Sequence, residues 1–351
     1  MKILYLTKYT RMAGSSRMRS YQYVPYLEKA GFLITVKPFF DEAYLKDFYA
    51  GKKNIGAVAK AYLQRFFVLF SVLKYDQVVV EKEIFPFLPA LAEWLLNRLN
   101  VKYVVDYDDA IFHNYDQSSN PVIKKLLGNK IATVMKLSGT VVAGNSYLAE
   151  YAKNAGAKNV HTIPTVINLD RYPLKENTDP GQFVVGWIGT KTTFEKHLLP
   201  CKEWIKELQN QEPDIQFNIV GMTEDMDLGK NVKYIQWTEN TEVANILNMD
   251  VGIMPLQDSK WEKGKCAYKL IQYAACGIPG VASDIGMNKE VCIDNETGFI
   301  AKNKEEWMGH IRFLKNNSEK RAQMGQNARK LVEKQFCIQV TADKWKNILI
   351  K

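Results

Sequence analysis

Short apolar runs recur along the chain, and between them the apolar positions spread to helical spacing. Lys2-Ile3-Leu4-Tyr5-Leu6-Thr7 reads as a buried strand. A polar loop, residues 8–16, follows it, then a helical stretch over 17–30 that Gly31 ends, and residues 32–38 read as the next strand. Further strands are expected at 77–80, 102–106 and 139–143. After a polar stretch around 163–182, marked by Pro173, Pro180 and Gly181, the pattern restarts. Phe183-Val184-Val185-Gly186-Trp187-Ile188-Gly189 reads as a strand closed by glycine, a long helix is expected over about 194–211, and strands follow at 216–221, 232–235, 251–254 and 280–283. From Glu305 onward the spacing is helical. Apolar runs alternating with helices predict parallel sheets covered on both faces. The expectation is an α/β protein of two doubly wound domains, 1–168 and 169–351, with the last helix a candidate to cross back to the first domain.

At 351 residues, two domains are also what length predicts. A hydrophobic fraction of 46% and a charged fraction of 24% exclude a disordered or fibrous chain. The longest apolar run, Phe66-Phe67-Val68-Leu69-Phe70, is far short of the roughly 20 residues of a membrane-spanning helix. The start, MKILYLTKY, lacks the pattern of a secretory signal, so a cytoplasmic location is expected. Five cysteines, all in the second half and with no CxxC pair, predict free buried thiols rather than a metal or disulfide framework.

Charge is unevenly distributed along the chain. Residues 1–168 hold 22 Lys+Arg against 13 Asp+Glu, whereas residues 169–351 hold 25 of each, so the whole net charge of +9 lies in the first half. That half is expected to face something anionic, with nucleic acid, lipid and a phosphorylated substrate all open, beside a merely solvated basic surface. The aromatic-rich stretch 57–73, flanked by Lys52, Lys53, Lys60, Arg65 and Lys74, reads either as a helix lying on an anionic membrane or as a core helix with solvated lysines. Lys124, Lys125, Lys130 and Lys136 add positive charge.

Two stretches carry candidate chemistry. Gly189-Thr190-Lys191-Thr192-Thr193 closes a strand and opens a helix, where free backbone N–H groups and the helix dipole favour a phosphate; a plain turn is the alternative. Gly264-Lys265-Cys266-Ala267-Tyr268-Lys269-Leu270-Ile271-Gln272 is expected to be helical from Lys265, placing Lys265, Lys269 and Gln272 on one face suited to a diphosphate and a ribose. His113 and His197 read as structural histidines.

This second stretch, with Cys276-Gly277-Ile278-Pro279 and Val281-Ala282-Ser283-Asp284-Ile285-Gly286 after it, resembles the donor-binding segment of family 4 glycosyltransferases, in particular a subgroup with a Gly-Lys-x-x-Tyr-Lys helix. Aligned on Cys276-Gly277, the two glutamates common in that family fall on Gly264 and Gln272. Gly186-Trp187-Ile188-Gly189, Ile163-Pro164-Thr165-Val166-Ile167-Asn168, Ser15-Ser16-Arg17-Met18-Arg19, Asp106-Tyr107-Asp108-Asp109-Ala110 and Glu296-Thr297-Gly298-Phe299 resemble other segments of the family in the same order. The resemblance implies the GT-B fold, two Rossmann-like domains facing a central cleft. It also implies a retaining, metal-independent hexosyltransferase that moves a sugar from a nucleotide-sugar to a glycan or lipid-linked acceptor in cell-surface polysaccharide or glycolipid synthesis.

The residues expected to act follow from both readings. Lys265 and Lys269 would stabilise the departing diphosphate, and Asp109 would contact a sugar or acceptor hydroxyl. Gly189, Thr190, Lys191, Trp237, Thr238 and Gln272 would bind the donor, and Ser16, Arg17 and Arg19 the acceptor. No cofactor is expected; metal binding by Asp106-x-Asp108 is the weaker alternative. The partners expected are a nucleotide-sugar, the acceptor and an anionic membrane surface met by the basic half at the inner face of the plasma membrane, but not nucleic acid. Three other readings stay open: a nucleotide-sugar epimerase or hydrolase of the same fold, a binding subunit without catalysis, and a basic nucleic-acid-binding protein.

Overall fold

The structure, a computed structural model, describes residues 1–176 and 181–350; Pro180 of the expected inter-domain stretch lies outside them. Its residues group into two compact units. Unit 1 comprises residues 1–165, 264–266 and 341–350, and unit 2 comprises 166–176, 181–263 and 267–340.

Unit 1 is built on a six-stranded parallel sheet in the order β2-β1-β3-β4-β5-β6. The strands are β1 (Lys2–Thr7), β2 (Leu33–Pro38), β3 (Gln77–Glu81), β4 (Tyr103–Tyr107), β5 (Thr140–Ala143) and β6 (Val160–Thr162). β3 and β4 are buried along their whole length, as expected for central strands of a sheet with helices on both faces. Residues 17–30 do not form one helix. A π-helical turn, Arg17–Tyr21, is followed by the short helix Val24–Lys29, with Pro25 in its first turn. The final helix, Ile338–Ile350, belongs to unit 1 from Thr341 on, where Tyr23 packs on Trp345 at 5.7 Å and bonds Thr341 through its hydroxyl at 2.8 Å.

Unit 2 repeats the architecture with the order β12-β11-β10-β7-β8-β9, all parallel. Its strands are β7 (Phe183–Ile188), β8 (Ile215–Val220), β9 (Val232–Ile235), β10 (Val251–Met254), β11 (Gly280–Ser283) and β12 (Gly298–Ala301). Trp187, Phe194, Leu198, Ile205, Phe217 and Ile311 are among the side chains of its core. β6 and β12, each short, are the two strands that sequence periodicity does not single out.

In a doubly wound sheet, ligands bind beyond the strand C-termini where the winding reverses. That point falls between β1 and β3 in unit 1 and between β7 and β10 in unit 2. The four buried cysteines and the half-buried Cys201 are all free thiols. No helix among the described residues is long and apolar enough to cross a membrane.

Candidate active site

At the reversal point of unit 2, β7 ends at Ile188 and Gly189 turns the chain away from the sheet. A Cβ on Gly189 would meet the Trp187 ring at 2.4 Å, and one on Gly221, whose φ is +105°, would meet the Gly189 carbonyl oxygen at 1.8 Å. Gly189 leaves room for the Trp187 ring and the Thr193 hydroxyl, and Gly221 lets the end of β8 approach the end of β7 closely. Thr190 then caps the turn Lys191–Thr193. Its hydroxyl accepts from the Thr193 N–H, and the Thr193 hydroxyl accepts from the Thr190 N–H, the reciprocal arrangement of a capping box. Helical turns continue from there to Gln211. Thr190 and Lys191 are exposed, and Lys191 lies 3.6 Å from Glu224. The expected phosphate turn is therefore open to solvent at the end of β7.

The helix that follows the glycine-lysine motif is shorter than sequence spacing predicts. It spans Tyr268–Ala275, and its N-cap, Ala267, sits in left-handed backbone with φ +50°. Lys265 is therefore not on the helix, and the expected three-residue stripe is broken. Lys269 lies within unit 2, its ammonium 4.5 Å from the centre of the Trp187 ring, one residue before the end of β7. A cation held on an indole face beside a glycine-ended strand is positioned to meet an anion there. Gln272 is 3% exposed and donates to the Tyr172 hydroxyl at 3.1 Å; that hydroxyl donates to Glu242 at 2.9 Å, and Glu242 also accepts from the Trp237 indole N–H at 2.9 Å. Gln272 and Trp237 are thus joined in one network, whose buried glutamine fixes Tyr172; this corrects the expectation of a ribose contact from an open helix face. Thr238 is exposed, and its hydroxyl accepts from the Thr241 N–H at 3.1 Å.

Sequence reasoning passed over a second charged group near this strand end. Glu262, fully buried as a side chain, pairs with Lys196 at 2.6 Å and stands 3.5 Å from His197 Nε2. Burial pushes its carboxyl up, and hydrogen bonds from Lys196 and Ser259 more than offset this, leaving it below its ordinary value. Lys196 has a half-exposed side chain and is a further ammonium group in the helical turns that Thr190 opens. The signal available was Lys196-His197 one helical turn beyond Thr192-Thr193. His197 is buried, and the N–H of Gln257 donates to its Nδ1 at 3.4 Å.

In unit 1 a dense polar cluster fills the reversal point. The Ser16 hydroxyl donates to Glu81 at 2.8 Å, the Ser15 hydroxyl donates to Asp108 at 2.6 Å, and the Lys82 ammonium reaches Asp108 at 2.9 Å and Asp109 at 3.9 Å. Lys82 occupies left-handed backbone, φ +69°, just after β3. Arg19 clasps Asp106 through two nitrogens and donates to the Ile163 carbonyl at 2.7 Å. Ser16 is 0% and Arg19 1% exposed, so neither reaches an acceptor; both hold the loop to the sheet, correcting the acceptor role expected of them. Arg17 is likewise buried. Lys130, expected to add surface charge, is instead buried against Glu83 and donates to the Phe85 carbonyl at 2.6 Å. His113 is structural, between Asp116 at 2.8 Å and the Tyr147 hydroxyl at 2.9 Å.

Asp109 is the carboxylate of this cluster left partly open, its side chain 32% exposed against 10% for Asp108. The two are driven apart. Burial would raise Asp108, but Lys82, Arg19 and Ser15 bring it down to about 2, whereas burial and the neighbouring Asp108 carboxylate push Asp109 above its ordinary value. Lys265 belongs here. It lies in the non-helical segment 264–266 of unit 1, accepts from Asn145 through its carbonyl at 3.0 Å, and is close enough to Asp109 to favour its ionised form. Cys266 donates through its thiol to the Asp108 carbonyl at 3.1 Å. Gly264 has a packing reason to be glycine: a Cβ would meet the Ala110 Cβ at 2.5 Å and the Ala110 nitrogen at 2.8 Å. A glutamate does not fit at that position in this arrangement. Glu81 and Lys82, absent from the sequence reading, were marked by charged residues closing the apolar run Val78-Val79-Val80.

Comparison with known proteins agrees with this architecture. Residues 176–331 match the family model described as "Glycosyl transferases group 1". No curated protein sequence matches the chain. Among solved structures, sucrose-phosphate synthase from Thermosynechococcus elongatus superposes with a TM-score of 0.70 at 14% identity, over 99% of this chain and 98% of that one. HepE of Anabaena in complex with UDP and glucose gives 0.70 at 14% identity, over 99% of both chains. A glycosyltransferase from Rickettsia africae gives 0.71 at 14% identity, over 99% of this chain and 97% of that one. The two six-stranded parallel sheets have the GT-B fold of these structures, and residues 176–331 match a glycosyl transferase group 1 domain.

Proposed function

We propose that the protein transfers a hexose from a nucleotide-sugar to a hydroxyl of a glycan or lipid-linked acceptor in cell-surface polysaccharide or glycolipid synthesis, with retention of configuration and without a metal ion. The observation that carries this reading is the exposed, capped turn Gly189-Thr190-Lys191 at the end of β7, with the Lys269 ammonium on the adjacent Trp187 ring. Glycosyl transfer builds negative charge on the departing diphosphate, and catalysis is largely stabilisation of that charge together with positioning. Backbone N–H groups of the turn, Lys191, Lys196 and Lys269 supply positive potential there. Trp237 and Thr238, beyond β9, are suited to the base. The diphosphate itself takes the acceptor proton as the new bond forms, so no side-chain base is required. Asp109 accepts a hydrogen bond from a substrate hydroxyl, and Lys265 balances its charge. The basic excess of unit 1 suits a lipid-linked acceptor at an anionic membrane.

Because the Anabaena neighbour holds UDP and glucose, UDP-sugars head the donors to test. A ligand that binds the native state raises its melting temperature. A thermal-shift panel of UDP, GDP, ADP and their sugar conjugates should show one base preferred, and NMR of the product should show the donor's anomeric configuration kept. Turnover should survive EDTA. No shift with any nucleotide-sugar, or activity abolished by EDTA and restored by Mn²⁺, would refute the respective parts.

One observation favours a second reading. Two adjacent carboxyls with proton affinities driven apart are the pattern of an acid–base pair, as a nucleotide-sugar hydrolase or epimerase requires. Incubation with the donor alone separates the two: release of free sugar or the epimeric donor at the transfer rate would establish the second.

A further inference from the structure

Two helices of unit 1 turn charged side chains inward and aromatic ones outward. In Ile55–Leu69 the buried residues are Ala61 and Arg65. Arg65 is 2% exposed and donates to the carbonyls of Thr7 and Lys37 at 2.8 and 3.1 Å, with the Phe39 ring 5.5 Å away. On the opposite side, Leu63, Phe66, Phe67 and Phe70 are between 51% and 69% exposed, and Phe66 packs its ring against Phe67 and Phe70 at 5.8 and 5.2 Å. The helix Leu91–Arg98 repeats the inversion. Its Glu93 is buried and accepts from the Ile84 N–H at 2.8 Å, while Leu91, Trp94 and Leu95 are 69%, 54% and 48% exposed. Tyr62 joins the two elements: its ring stacks on Phe85 at 6.0 Å and its hydroxyl donates to the Pro86 carbonyl, in the segment that leads into the second helix. In that segment Phe87 holds a 57% exposed ring on left-handed backbone, φ +55°.

Single exposed apolar residues are ordinary, but a contiguous aromatic cluster marks a surface with a partner. The surrounding charge says which partner. Lys52, Lys53, Lys74 and Arg98, near the ends of these two helices, are exposed, and residues 1–168 hold the whole net charge of +9. Protein interfaces are depleted of lysine, whereas aromatic and leucine side chains bordered by lysines suit a bilayer with anionic headgroups.

We propose that this face of unit 1 inserts Phe66, Phe67, Phe70 and Trp94 into the headgroup layer of an anionic lipid bilayer. The proposal rests on the reading of the acceptor as lipid-linked and names the surface through which the enzyme meets it. Flotation with phosphatidylcholine vesicles, with and without about one third phosphatidylglycerol, tests it. The wild type should float with the anionic vesicles and less so as salt rises. The variant Phe66→Ser/Phe67→Ser/Phe70→Ser, altered only at exposed positions, should keep its melting temperature and partition on the order of a hundredfold more weakly. Leu91→Ser/Trp94→Ser gives an independent second variant. A wild type that stays in solution, a triple variant that floats like wild type, or a dimer that the substitutions dissociate would each overturn the proposal, the last by assigning the face to a second copy. Thermal shift with UDP-sugars on the same samples keeps the two readings separate. Flotation without a nucleotide shift refutes the donor reading alone, and a shift without flotation refutes the lipid face alone.

Discussion

Arg19 uses its guanidinium entirely inside unit 1, on Asp106 and on the Ile163 carbonyl. Removing one member of a buried ion pair leaves the other charged and unpaired, so Arg19→Ala should cost about 3–5 kcal/mol, read as a lower urea midpoint for unit 1, with nucleotide-sugar affinity unchanged. Asp108 makes a pH prediction. Its carboxyl is held at about 2, below its ordinary value. The stability it contributes is therefore complete above the unfolded value near 4 and is lost as pH falls through about 2. Asp108→Asn should remove about 2 kcal/mol at neutral pH and flatten the wild-type decline below pH 4 in a series of melting curves. For Lys269, which faces the Trp187 ring, substitution by alanine should lower kcat by an order of magnitude or more with a smaller change in KM, because charge stabilisation of a leaving group acts mainly in the transition state; unchanged kcat would remove that role. The sequence shows Arg19 and Asp108 as charged positions near strand ends and Lys269 as one on a helix. It does not show that Arg19 and Ser16 would be consumed by Asp106 and Glu81, since that pairing joins the turns after β1 to strands far along the sequence.

At the scale of elements, strand periodicity was legible because buried parallel strands are uniformly apolar. Among the described residues, ten of the twelve strands follow from short apolar runs, and the two missed, β6 and β12, are three and four residues long. Helix starts were not legible. Residues 265–267 were expected to open the helix, yet contacts to Asn145 and Asp108 hold Lys265 and Cys266 outside it, and the helix begins only after left-handed Ala267. Helical spacing likewise placed an apolar face on residues 57–73 but could not say which face points inward; only Arg65 on two strand-end carbonyls settles that. The ends of β7 and β8 make the element-scale prediction. Gly221→Ala should destabilise unit 2 by on the order of 3 kcal/mol and weaken the nucleotide thermal shift, because its Cβ has no room beside Gly189 and its φ of +105° is strained for alanine.

For the whole molecule, two similar sheets in series and an uneven charge were both evident from the chain alone, and the sheet orders place each reversal point where the candidate residues gather. What sequence could not supply was the place of residues 264–266 in unit 1; the last helix, a candidate to cross back, adds residues 341–350 to it. Trp345, 1% exposed against Tyr23, tests this. Trp345→Ala should cost about 3–5 kcal/mol and speed amide exchange in residues 1–165 while leaving the strands of unit 2 protected. The same discontinuity bears on how the protein is made. A ribosome delivers residues 1–165 well before the tryptophan that packs against their Tyr23. The nascent first sheet must therefore wait, incompletely covered, while residues 166–340 are made, and a fragment ending at residue 165 should aggregate unless a separately supplied peptide of residues 338–350 rescues it.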